Sequence, residues 1–64
     1  MDRVYLYLVD GAEWEDIIVY LTEQEAIDIS KKWPNARVEI FDKSPMGGYR
    51  PSYTCFVNGV LLKM

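Results

Sequence analysis

Thr22-Glu23-Gln24-Glu25-Ala26-Ile27-Asp28-Ile29-Ser30-Lys31-Lys32-Trp33-Pro34 is the stretch of this chain that carries a helical rhythm. Thr22 and Glu25 stand at the spacing of a capping box, in which each side chain answers an unpaired backbone N–H of the first helical turn. Leu21 and Ala26 occupy the hydrophobic-staple positions around it. Ala26, Ile29, Ser30 and Trp33 then recur at i, i+3, i+4 and i+7, with Ile27 alongside, so this stripe should face a core. Acids at the start and lysines at the end match the helix dipole. Pro34 disfavours helical geometry at the residue before it and stops the helix at Trp33 or just short of it. The helix is read over residues 22–33.

On both sides of this segment the rhythm changes to that of strands. Residues 3–9 put Val4, Leu6 and Leu8 on one face and Tyr5, Tyr7 and Val9 on the other. A strand apolar on both faces belongs in the middle of its sheet. Asp10-Gly11 starts a turn, and residues 12–16 form an acidic loop around Trp14, for which core packing on the sheet edge is favoured over the alternative of an exposed anchor for a partner. Residues 17–21 read as a second strand, antiparallel to the first. After the helix, Asn35 turns the chain into a third strand, 36–41. It alternates, with Val38 and Ile40 on one side and Arg37, Glu39 and Phe41 on the other. Residues 42–48 read as a loop with Ser44-Pro45 and Gly47-Gly48. Pro51 lacks an N–H, so the fourth strand should become regular only over 52–57. Asn58-Gly59 between two apolar runs signals a type I′ hairpin leading into a fifth strand, 60–64. That turn pairs Val57 with Val60, Cys55 with Leu62 and Tyr53 with Met64, and Phe56 with Leu61 on the reverse face.

The order of elements, ββαβββ, defines one α+β domain over residues 1–64. A right-handed strand–helix–strand crossover places strand one between strands two and three, and gives a mostly antiparallel sheet of order 2-1-3-4-5. One helix covers one face. That face is expected to take Val4, Leu6, Leu8, Ile29, Trp33, Val38 and Ile40, which leaves Tyr5, Tyr7, Phe41 and part of the last hairpin on the other.

Bulk composition narrows the function. A chain of 64 residues buries only about 60% of its unfolded surface, so its stability alone is marginal. Such domains are commonly supported by disulfides, a metal or a partner subunit. Cys55 is the single cysteine and there is no histidine, which removes an intrachain disulfide and the commonest metal ligand and general base. Asp10, Glu13, Glu15 and Asp16 lack the spacing of a calcium loop and read as a solvated turn. Gly47-Gly48 lacks the features of a phosphate loop. Cys55, mid-strand and without an activating base, reads as an inert thiol. No cofactor or metal is expected, and the chain is not expected to be an enzyme. The net charge of −3 disfavours a nucleic-acid partner. Residues 1–29 hold eight carboxylates against Arg3 alone, while residues 30–64 hold six cationic side chains against Glu39 and Asp42. No apolar run reaches transmembrane length and the N-terminus shows no export signal, so a cytoplasmic, membrane-free setting is expected.

The open sheet face is the feature that bears on function. Exposed apolar patches of more than a few hundred Å² usually mark interfaces, and a two-fold dimer is the commonest way to bury one. The leading expectation is a non-enzymatic interaction module that forms a homodimer or binds a protein partner through Tyr5, Tyr7, Phe41 and Tyr53. The alternative is a small-ligand or nucleotide binder that uses the aromatic sheet face together with Tyr49 and Arg50 of the 44–50 loop. Tyrosines on a central strand are also what an RNA-stacking sheet uses, but the glycine-aromatic signature and second helix of such a domain are missing.

Val4-Tyr5-Leu6-Tyr7, a second strand, and then Thr22-Glu23-Gln24-Glu25-Ala26 opening a helix resemble small domains of unknown function common in bacteriophages and other viruses. The likeness covers residues 4–41, and the chain departs from it at the Asn58-Gly59 hairpin. The resemblance implies a viral origin and an accessory, inhibitory or minor structural role, in the host cytoplasm. It carries over no functional residues.

Overall fold

The structure, a computed structural model, describes residues 2–9 and 11–63. The contribution of Asp10 to the first turn and the pairing of Tyr53 with Met64 lie outside the described residues. The elements run β1 (Arg3–Leu8), a single 3-10 turn (Trp14–Asp16), β2 (Ile18–Tyr20), α1 (Glu23–Lys32), β3 (Arg37–Lys43), β4 (Tyr49–Val57) and β5 (Val60–Lys63). The sheet order is β2-β1-β3-β4-β5, as the sequence predicts, and every neighbouring pair is antiparallel.

Local chemistry explains the boundaries. Thr22 is the N-cap: its hydroxyl accepts a hydrogen bond from the Glu25 amide at 3.3 Å. The same hydroxyl donates to the Glu25 carboxylate at 2.9 Å, so the reciprocal bond of the cap closes on the side chain. Trp33 is the C-cap, with φ −125° and ψ 77°. This geometry takes its side chain off the helical stripe, and the indole is half exposed, with the Lys32 ammonium 5.7 Å from its ring. At the hairpin, Asn58 and Gly59 have φ of 50° and 79°, the left-handed values that a type I′ turn requires.

The fourth strand starts earlier than expected, at Tyr49, and runs through Pro51. A bulge makes this feasible. Ile40 faces Thr54 but Phe41 faces Pro51, so Ser52 and Tyr53 are extra residues in β4. Tyr53 takes φ 61°, and the Ser52 hydroxyl donates to the Ile40 carbonyl at 2.7 Å where the ladder is interrupted.

The core corrects the expected facing of β1. Tyr5, Ala26, Val38, Ile40 and Phe56 form the buried cluster, with Tyr7, Tyr20, Ile27 and Ile29 packed against it. Tyr5 pairs with Ile40 and Tyr7 with Val38. Directly opposed residues share a face of a sheet, so the two tyrosines lie under the helix and Val4, Leu6 and Leu8 lie on the open side. The reason is volume. The fully buried positions of α1 are Ala26 and Ser30, both small. The space beneath the helix must therefore be filled from the sheet, and Tyr5 and Phe56 fill it with ring centroids 6.4 Å apart. Trp14, expected as core, is 88% exposed.

Ser30 fastens the helix to the far hairpin. Its hydroxyl donates to the Ile27 carbonyl at 2.8 Å and accepts from the Gly59 amide at 2.9 Å. The Lys31 stem crosses beside Gly59, where a Cβ would meet its Cε at 2.6 Å.

Candidate interaction surface

The face opposite the helix is built by register. Val19 of β2, Leu6 of β1, Glu39 of β3, Cys55 of β4 and Leu62 of β5 stand in one row across all five strands. Val4 and Phe41 are paired on one side of this row, and Leu8 pairs with Arg37 on the other. Val19 and Leu62 are about half exposed at the two ends of the row. No helix among the described residues covers it, because α1 packs over β1, β3 and β4 from the opposite side.

One charged pair sits at the centre. Glu39 is 8% exposed and Cys55 3%. Arg37 Nε lies 3.1 Å from Glu39 Oε2, while the guanidinium-bearing side chain stays 44% exposed. The approach is an ion pair without hydrogen-bond geometry, and the buried Oε2 accepts no hydrogen bond. Burial pushes the Cys55 thiol above its ordinary value. The adjacent Glu39 carboxylate adds to the rise through its charge and a hydrogen bond, and Arg37 partly opposes it. A thiol held protonated in this way is a poor nucleophile.

The residues singled out from sequence do not converge. Tyr5 is buried in the core and the partly buried Tyr7 packs against it on the helix side, so neither lies on the open face. Phe41 is half-buried on the open face opposite Val4, as expected. Tyr53 is 65% exposed on the bulge. Tyr49 and Arg50 pair with Lys43 and Asp42 at the sheet end. An open cleft of about 630 Å³ lies beside that end, lined by Asp2, Arg3, Asp42, Lys43 and Ser44 among others, but Tyr49 and Arg50 do not line it. Arg3 and Asp42 form an exposed pair there at 2.9 Å. Among the described residues no three His, Cys, Asp or Glu side chains are grouped to hold a metal, and no helix is long and apolar enough to cross a membrane.

Sequence reasoning missed Leu6, Leu62, Val19 and the Arg37–Glu39 pair as one surface. The signal was present in the third strand: a carboxylate and a guanidinium two residues apart mark the side of β3 away from the core, and every residue paired with them belongs there too. Comparison with protein-family models, with curated proteins and with solved structures finds no match to the chain.

Proposed function

We propose that this chain is a small non-enzymatic interaction module that docks a protein surface, its own or a partner's, through the open face of its sheet. The observation that carries the reading is the row from Val19 to Leu62: half-exposed aliphatic side chains at both ends of a five-stranded sheet, with the partly buried Leu6 between them and no element of the described chain above. Leaving such a surface in water is unfavourable by roughly 25 cal/mol per Å² of apolar area, which association recovers. The likeness of residues 4–41 to small viral domains supports an accessory, inhibitory or minor structural role in an infected cell's cytoplasm.

The test is a paired substitution. Val19→Lys with Leu62→Lys changes two half-exposed positions and should leave the fold intact. Sedimentation equilibrium should show association in the parent and none in the double variant. A parent that stays monomeric at high micromolar concentration, with no protein co-purifying, refutes the proposal.

A further inference from the structure

We infer that the occupant of the open face is a second copy of this chain, related by a two-fold axis that lies between the two sheets, runs across the strands and passes level with Val38. This rests on the interaction reading above and names its partner and geometry.

Charge is arranged in rows on this face. The first row, level with Glu39, reads Val19, Leu6, Glu39, Cys55, Leu62. The next row on this face, level with Arg37, holds Leu8, Arg37 and, one step on in the same registers, Val57 and Val60. Each row is apolar except at β3, where the first carries an anion and the second a cation. An axis across the strands at the level of Val38 reverses strand direction and lays the first row of one copy on the second row of the other. Leu6 then meets Leu8 of the second copy, Cys55 meets Val57, and Leu62 meets Val60. At the single charged column, Glu39 meets Arg37 of the second copy, and the reverse holds for the other pair.

The competing arrangement fails on charge. An axis running along the strands would stack Arg37 on Arg37 and Glu39 on Glu39 in a dry interface, which is strongly unfavourable. The crossing axis instead sets the half-exposed Arg37 of each copy beside the Arg37–Glu39 ion pair of the other, so that the two pairs stack head to tail. Aligned face-to-face packing of twisted sheets, within about 30°, accommodates the pairing. The face is about 24 Å wide, from five strands spaced about 4.8 Å apart. A face of this span belongs to the small end of specific interfaces.

The experiment exchanges the charges between copies. Arg37→Glu alone places four carboxylates at the axis, and Glu39→Arg alone places four guanidinium groups there. Each variant should associate about 100-fold more weakly than the parent. An equimolar mixture of the two should restore a heterodimer to within about tenfold of the parent, because every cross-axis contact is again between opposite charges. Restoration on mixing is specific to contact between copies, since each chain still carries a like-charged pair within itself. Circular dichroism checks each fold. Should Glu39→Arg not fold, Glu39→Gln replaces it, and its mixture with Arg37→Glu must then associate more tightly than Arg37→Glu alone. Folded variants that do not recover on mixing overturn the two-fold geometry. If Val19→Lys/Leu62→Lys still abolishes parental association in that case, the open-face reading stands without it. A monomeric parent overturns the second copy as occupant.

Discussion

Replacing Ser30 with alanine should loosen the helix from the last hairpin. In the parent, the Ser30 hydroxyl is fully buried and accepts the Gly59 N–H at 2.9 Å while donating to the Ile27 carbonyl. The alanine variant leaves the Gly59 donor without its acceptor. An unsatisfied buried donor costs about 1–3 kcal/mol. Alanine's better helix propensity returns up to about 0.5 kcal/mol, and the Ile27 carbonyl is positioned to keep its helical partner. The net loss is about 1–2 kcal/mol. For a domain this small each kcal/mol moves Tm by about 4–8 °C, so Tm should fall by roughly 5–15 °C. Amide hydrogen exchange is the more specific assay. The Gly59 N–H should exchange slowly in the parent and much faster in the variant, with the β1–β3 amides changed only by the global loss. A Gly59 amide that exchanges equally fast in both proteins refutes the reasoning.

Thr22→Ala removes the N-cap acceptor and should cost about 1 kcal/mol, read as a lower Tm. Tyr5→Ala removes a ring from the core and should cost about 3–5 kcal/mol by denaturant titration, whereas Trp14→Ala, at an exposed site, should change stability by less than about 0.5 kcal/mol. The raised Cys55 pKa makes stability fall with rising pH above 9.0: the unfolded thiol ionises first, so the unfolded chain binds fewer protons than the folded one. The contribution is fully present below 9.0, and Cys55→Ala should show a shallower alkaline slope than the parent in denaturant titrations between pH 8 and 10.

The strand order, the Thr22 cap and the Asn58-Gly59 turn were legible because each is decided by local chemistry or by chain connectivity. The facing of β1 was not. Val4, Leu6 and Leu8 against Tyr5, Tyr7 and Val9 is apolar either way, so alternation alone cannot choose a side. The choice is made by pairing with Val38 and Ile40, and by the need for large side chains beneath a helix that buries only Ala26 and Ser30. Those small helical residues were in view, and read as a shortage of volume they would have placed the tyrosines inside. Trp33 was misplaced for a related reason. Its i+7 spacing counts only while the helix continues, and Pro34 had already ended it. The candidate surface inherited the error in β1. Phe41, on the strand whose charges marked its outer side, was correctly set on the open face, as was part of the last hairpin.

The position of β1 between β2 and β3 governs how the chain assembles. Val57 and Val60 are three residues apart in sequence and Val38 and Phe56 eighteen, whereas Tyr5 and Ile40 are thirty-five apart. The β3–β4–β5 meander closes short loops and forms early. β1 can dock only after a loop spanning β2 and the helix has closed, at a larger entropic cost. The β1–β2 arm therefore joins last and detaches first, and its release strips Tyr5 from Phe56 and bares Val38 and Ile40 along a newly unpaired β3 edge. Proteolysis and strand-mediated aggregation are therefore expected to start from opening of the N-terminal arm.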